Sequence, residues 1–564
     1  MATSLPDDLL HMVCDQLWEQ RDFDTLYHCA CSGKQLAIPA LASIYRIHDV
    51  APITSAGSEE IEISANEKTS MKRREQVFDK RTSMWRTIIL SSMGKTLFPY
   101  SKYIRTLRVQ DLEDLLDPQD PGFRDKITTT ENRAHRISAF FTGELAKFEV
   151  KKSVKFQKRN HLRLDIEATS NRLTEVIIRQ SPMLEELSGT IFHDVLSQCI
   201  PQLPNLQHLN VFKGEALEGT GNLFRLHCPL FKSVKFYGWQ HPDADHQFAT
   251  FLNELRPQSL ESFEIFSTSQ IGAESFLALN CHRETLTELK LMGIKAEAMS
   301  ALSMLKGCTN LASLFLAENG VATQDLEKRH NDIFLETIAW LCQCKGLKSI
   351  SIDKMLNAPG LLTPVLLENN IKLTRLELEG YQMWESRNFH QALAHQASLQ
   401  SLWLKGESNE LGQDGQDVEI FVDSLSRLEN LTDLRLRDIS DAFLDKHLCK
   451  LAQSLPKLET WWTSGWGITD AIWSDMASLQ NLRRLELSAV TRFTAQGIVD
   501  FIFSLGPGNQ GLVLSIMMSD TDYDLSEDEQ SMIRETIASQ VNGRFDFTLI
   551  RDPGEGYSDE EDSD

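Results

Sequence analysis

What this 564-residue chain lacks narrows its function first. No apolar run approaches the roughly 18 residues that a membrane-spanning helix needs, so no span is predicted. The opening, Met1-Ala-Thr-Ser-Leu5-Pro6-Asp-Asp8, carries no basic segment ahead of an apolar one, so no signal peptide is expected. The protein is therefore expected in the cytoplasm and/or nucleus, with its ten cysteines as reduced thiols. Positive charge is short: 57 Lys and Arg stand against 80 Asp and Glu, a net charge of −23. Phosphate binding needs a basic face, so nucleic acid is not the expected partner. The basic clusters Lys72-Arg73-Arg74 and Lys151 through Arg163 read as solvated faces. There is no C-x-x-C pair, no H-E-x-x-H, no G-x-S-x-G and no G-x-G-x-x-G. Gly94-Lys95-Thr96 is no phosphate loop, because Ile89 stands where the preceding glycine is required. His241, Asp243, Asp245 and His246 have a metal-like composition but lie in a Pro/Asp loop. No catalytic residue, metal or cofactor is predicted.

What is present is a repeated phrase. Leu206-Gln-His-Leu209-Asn-Val211 has the form LxxLxL, and so do the segments starting at Leu286, Leu311, Leu373, Leu399, Leu431 and Leu482. Degenerate copies start at Leu184, Phe231, Leu260, Leu347 and Leu458. The starts lie 22 to 36 residues apart, with a centre at about 26. The fourth and sixth positions alternate with period two, which predicts a strand. Between motifs the spacing turns helical, as in Phe443, Leu444, Leu448, Leu451 and Leu455, or Ile468, Ile472 and Met476. A strand plus a helix per unit, with leucines at these offsets, is the leucine-rich repeat. One such unit cannot bury both of its apolar sides, so stability requires stacked neighbours. A stacked array predicts a binding surface rather than a catalytic pocket.

Cys228, Cys308 and Cys344 each stand three residues before the first apolar residue of a motif, a slot held elsewhere by Leu203, Leu428, Leu455 or Leu479. They are expected to be small buried hydrophobes. Gly467-Ile-Thr-Asp470 reads as the start of a helix. This CxxLxxLxL…IT(D) pattern resembles the cysteine-containing leucine-rich repeats.

The N-terminus has a different pattern. Pro6 suits the first turn of a helix, and Leu9, Leu10, Val13 and Leu17 then share one face. A second segment starts around Leu26, Cys29 and Ala30, and a third contains Leu36, Ala37, Leu41 and Tyr45. Three helices in under fifty residues make a small core that needs a partner or an adjoining domain. The segment Leu5-Pro6…Leu9-Leu10…Val13…Leu17 resembles the F-box, although Ala30-Cys31-Ser32-Gly33-Lys34 departs from its usual section and no Trp follows. Trp85 through Tyr100, followed by Tyr103 through Leu116, looks like the corresponding region of F-box/leucine-rich-repeat proteins of filamentous fungi, in which an amphipathic helix leads to a first strand, here Ile104–Val109. The resemblance implies a non-catalytic substrate-recognition subunit of a Skp–cullin–F-box ubiquitin ligase. Leu5, Pro6, Leu9, Leu10, Val13 and Leu17 would dock on the Skp-type adaptor, and through it on a cullin–RING ligase, while the repeats hold an unidentified protein substrate. The alternative is a repeat scaffold that takes no part in ubiquitination.

The expected architecture is an α/β solenoid: an F-box over residues 1–48, a linker with an amphipathic helix over 49–103, and a curved array of ribonuclease-inhibitor-like, cysteine-containing repeats over 104–520. A cap over 521–550 and an acidic, disordered tail over 551–564, with Ser558 as a candidate phosphorylation site, complete it. Residues between the motif leucines should face away from the helices. Among them, Phe212, Tyr237 and Phe266 form an early aromatic stripe, Asp353, Glu377 and Glu379 a middle acidic band, and Trp403, Lys405, Arg435, Arg437 and Trp462 a late patch. Trp, Tyr and Arg dominate binding hot spots, so these are the candidate substrate residues. Arg435 and Arg437 would suit an acidic segment.

Overall fold

The computed structural model describes residues 6–46, 67–116, 138–156, 159–319, 326–355, 357–383, 386–406 and 415–549. The chain forms two compact units, Met1–Ile271 and Gly272–Asp564, so a unit boundary falls inside the segment expected as one array.

The first unit opens with helices α1 (Asp7–Glu19), α2 (Phe23–Ser32) and α3 (Lys34–Ile44). Pro6 precedes α1, where its missing N–H costs nothing, and the Asp22 side chain caps α2 by accepting from the Thr25 N–H at 3.1 Å. Cys14, Leu26 and Ala40 are fully buried between the three helices, with Leu17, Trp18, Phe23 and Leu36 around them. So small a core leans on the rest of the unit. The Tyr45 ring sits 4.6 Å from that of Tyr100. The Arg46 carbonyl accepts from the N–H groups of Arg105 and Thr106 at 3.0 and 3.4 Å. The helix Glu67–Ser92 follows α3 in the chain and buries Trp85, Ile88 and Ile89. Arg81 on it meets Asp111 at 2.7 Å, both side chains about nine-tenths buried.

Within residues 104–109, which pattern as a strand, Thr106–Arg108 form β1 and Val109 begins the next helix. The antiparallel hairpin β2 (Lys151–Phe156) and β3 (Arg159–Leu164) comes next. The basic run is a built element, and its described residues Lys151, Lys152 and Arg163 are exposed, as a solvated face requires. Leu173 lies in the helix Ile166–Ile178, and the motif at Leu184 leads into β4 (Glu186–Gly189), which pairs in parallel with β1. The unit's parallel sheet continues through β5 (His208–Lys213), β6 (Ser233–Gly238) and β7 (Ser262–Ile265).

In the second unit ten parallel strands follow in chain order: β8 (Glu288–Ile294), β9 (Ser313–Glu318), β10 (Ser349–Asp353), β11 (Arg375–Tyr381), β12 (Ser401–Gly406), β13 (Asp433–Arg437), β14 (Thr460–Thr469), β15 (Arg484–Arg492), β16 (Val513–Ser519) and β17 (Arg544–Leu549). The register puts the motif leucines side by side, as in Leu314, Ile350, Leu376, Leu402, Leu434, Trp461, Leu485, Leu514 and Phe545. That whole row is buried against the helical layer. The alternation is strict in β12, where Leu402 and Leu404 are buried while Trp403 and Lys405 are not. A parallel array of LxxLxL strands alternating with helices is a leucine-rich-repeat fold.

One strand runs further than its motif. Gly467-Ile-Thr469 ends β14 and also starts a helix, as its pattern predicts: the Thr469 hydroxyl accepts from the Ala471 N–H at 3.3 Å and caps the 3-10 turn Asp470–Ile472, which runs into the short helix Trp473–Met476. The strand is prolonged because it keeps pairing with β15 across a bulge at Gly467, whose φ of +68° suits glycine. Asp445 then holds Thr469, accepting from its N–H at 2.9 Å and from its hydroxyl at 2.6 Å.

The repeat cysteines behave as hydrophobes. Cys228, Cys308 and Cys344 are buried, and burial pushes each thiol up to about 12. Cys344 Sγ and Trp340 Nε1 both donate to the Cys308 carbonyl, at 3.7 and 3.0 Å, so this slot also ties adjacent units together.

The second unit also buries a polar pair. The Tyr381 hydroxyl and His390 Nε2 share a hydrogen bond, and His390 Nδ1 meets no partner among the described residues. Burial, then the Arg387 charge, push the imidazole down from 6.5 to about 3. His390 is thus neutral when folded, whereas the unfolded chain takes up a proton below pH 6.5. Stability present above that pH is lost on acidification, by about 1.4 kcal/mol per unit until the folded group itself titrates. Between pH 6.5 and 5 the wild type should lose about 2 kcal/mol more than His390→Gln, read from urea midpoints; parallel losses would show that His390 does not drive the change.

Candidate binding faces

Two exposed surfaces contain the residues singled out from the sequence. The first is on the N-terminal helices. Leu5 lies outside the described residues. Pro6 is exposed at the start of α1. Leu9 and Val13, 45 % and 51 % exposed, lie one turn apart on the outside of α1. Leu10 is a correction: it is buried, at 6 % exposed, and is not available to a partner. Leu17 is half-buried against that core. The helix places Met12 beside Leu9 and Val13, and it is the most exposed of the three at 66 %. Tyr27 on α2 and Ile38 on α3 are also mostly exposed. Sequence reasoning passed over Met12, Tyr27 and Ile38, because a helix of mixed apolar residues does not announce which side its neighbours will cover.

The second surface is the strand face opposite the helices, in each unit. In the first unit Phe212, Tyr237 and Phe266 come together as one stack: Tyr237 meets Phe212 edge-on at 4.7 Å and lies parallel to Phe266 at 5.3 Å. Offset and edge-on pairs of this kind hold each other rigid, leaving Tyr237 exposed as a fixed platform. Lys235, beside them, ion-pairs with Glu264 at 2.5 Å.

In the second unit the register brings Glu377, Trp403, Arg435, Trp462 and Glu486 into one row across β11 to β15. Asp353, Glu379, Lys405 and Arg437 form the next row. Burial, then the Glu379 charge, push the Asp353 carboxyl up, while Lys405 ion-pairs with Glu379. The arginines are not free cations. Arg435 holds Asp433 at 2.9 Å, and Arg437 holds Asp438 at 3.3 Å while lying 4.9 Å from the Trp462 ring centre. The Trp462 N–H donates to Ser488 Oγ at 3.2 Å, which sets the ring. Arg375 with Glu377, Arg484 with Glu486 and Arg544 with Asp546 repeat the same arrangement two residues apart along a strand. Exposed pairs of this kind contribute little to stability. Their effect is to order long side chains around the two tryptophans. The surface offers aromatic, hydrogen-bonding and charged groups, the residue types that dominate recognition surfaces. Ser558 lies outside the described residues.

No protein-family profile matches this chain, and no curated protein matches it. Among solved structures it is similar to an internalin from Listeria monocytogenes, at 16 % identity and a TM-score of 0.34 over 63 % of this chain and 89 % of that one. It is also similar to TLR13 in a complex with a single-stranded RNA, at 13 % identity and a TM-score of 0.33 over 66 % of this chain and 57 % of that one.

Proposed function

We propose that this leucine-rich-repeat chain is a substrate-recognition subunit of a Skp–cullin–F-box ubiquitin ligase. Its N-terminal helices dock on the Skp-type adaptor, and its strand face binds the protein to be modified. The observation that carries this reading is the apolar outer side of the N-terminal module. Leu9, Met12 and Val13 stay exposed although the same helices bury Cys14, Leu26 and Ala40. Adjacent apolar side chains left in water, on a module this small, are what a partner's surface would cover. The Phe212–Tyr237–Phe266 stack and the Trp403–Arg435–Trp462 row support the second half of the reading, since rigid aromatics and arginines carry most interface energy.

Such a protein performs no bond chemistry. It raises the local concentration of a substrate lysine near the charged conjugating enzyme, as a two-headed linker does. The test is to co-express the full chain with a Skp-type adaptor and purify through the adaptor. Stoichiometric recovery of the chain is the expected result. Failure to recover it would remove the ligase from the proposal and leave a repeat scaffold that binds protein through its strand face.

A further inference from the structure

We propose that a depression between the last strands and the capping helix of the second unit seats an anionic side chain, carboxylate or phosphate, of an extended peptide. Arg437 and Arg534 hold the anion and the Trp462 ring forms one wall. The proposal rests on the strand face being the protein-binding face and assigns the chemistry of one site on it.

The depression has a volume of about 570 Å³, within the range of ligand pockets. Its origin is in the register. Trp462, Glu486, Ser515 and Asp546 lie in one row across β14 to β17, and Ser488 and Met517 pair in the next. Two serines among larger residues leave the surface low beside Trp462. Arg437, stacked on that ring, stands at one side. Arg534, exposed on the helix Glu527–Val541, supplies the second cation. A helix that looks like a plain cap in the sequence thus contributes to the binding face.

The charges favour an anion. Glu486 and Asp546 also line the depression, but each already holds an arginine of its own strand, Arg484 at 3.0 Å and Arg544 at 3.1 Å. Arg437 has Asp438 at 3.3 Å, an exposed pair that water screens. Arg534 donates to the Gln530 side-chain oxygen at 3.0 Å and meets no carboxylate among the described residues. Counting each lining charge with its own partner leaves one guanidinium without a counter-ion. That surplus stands out in a chain whose net charge is −23. Two guanidinium groups beside serine hydroxyls match a carboxylate or phosphate, and the open row running back through Arg435 and Trp403 leaves room for the flanking backbone.

The test uses the full chain and three capped hexapeptides: hexaglutamate, a Gly/Ser peptide with one phosphoserine, and the same Gly/Ser peptide unphosphorylated. Binding is measured by calorimetry at low ionic strength. At least one anionic probe should bind about tenfold or more tighter than the neutral one, weaken with salt, and lose about tenfold in Arg534→Glu. Which probe binds identifies the source of the anion. Because Arg534 is exposed, the variant should unfold at the same urea midpoint as wild type. Anionic probes no better than the neutral one, or unaffected by Arg534→Glu in a folded variant, overturn the proposal. Adaptor capture is measured in parallel: capture retained with no anion binding defeats this site alone, whereas loss of capture in the wild type defeats the ligase reading.

Discussion

Joint substitution Leu9→Asp and Val13→Asp should weaken capture of the Skp-type adaptor by at least about a hundredfold while the chain stays folded. About half of each side chain is left to be covered, which contributes about 0.7–1.5 kcal/mol, and a carboxylate pressed into the same contact adds a desolvation cost of at least about 1 kcal/mol. Two such losses exceed the roughly 2.7 kcal/mol that a hundredfold change in affinity requires. Both positions are about half exposed, at 45 % and 51 %, so the module's own packing loses little. Leu10→Asp makes the contrast. Leu10 is 6 % exposed, and a charge there should unfold the three helices rather than spoil a surface. Quantified co-purification, with far-ultraviolet circular dichroism as the folding check, separates the two outcomes. Unchanged capture by a folded Leu9→Asp/Val13→Asp protein would show that the adaptor does not meet α1.

Asp111→Ala should destabilise the first unit by about 3–5 kcal/mol, because it strands the Arg81 guanidinium where water does not reach it. The pair spans 2.7 Å with both side chains about nine-tenths buried, between the helix Glu67–Ser92 and the helix Val109–Leu116 that follows β1. Taking a single buried charge out of its pair leaves the whole desolvation penalty of the other. Removing both, as in Arg81→Met with Asp111→Leu, should recover most of the loss, since apolar residues of similar size can replace a buried ion pair at little cost. Urea midpoints of the wild type, Arg81→Met, Asp111→Leu and the double variant form the cycle. A loss under about 1 kcal/mol in Asp111→Ala would mean that water reaches Arg81.

Much of the second unit was legible because a strand's side-chain alternation is local. Once Leu402 and Leu404 are placed inward, Trp403 and Lys405 must point outward, and neighbouring copies of the motif align them with Arg435 and Trp462. The pairing of Arg435 with Asp433 could have been read in the same way, since residues two apart on a strand share a face. The hairpin Lys151–Leu164 could not, because its pairing depends on which backbone partner the chain meets rather than on its basic composition. The length of β14 was hidden for a related reason: it depends on continued pairing with β15, although the helix start capped by Thr469 was legible.

The N-terminal helices show the same limit. Helical spacing put Leu9, Leu10, Val13 and Leu17 on one broad apolar side, but that side has two edges. Packing against α2 and α3 turned Leu10 and Cys14 inward and left Leu9, Met12 and Val13 outside.

By itself the sequence determined the repeat, the strands, the buried cysteine slot and the face on which Trp403, Arg435 and Trp462 stand, all of which follow from periodicity within a few residues. Tertiary structure alone decided which side of α1 is free and that Arg534 shares a depression with Arg437. Those outcomes depend on the positions of groups far apart in the chain, and a local pattern carries no information about distances that only folding sets.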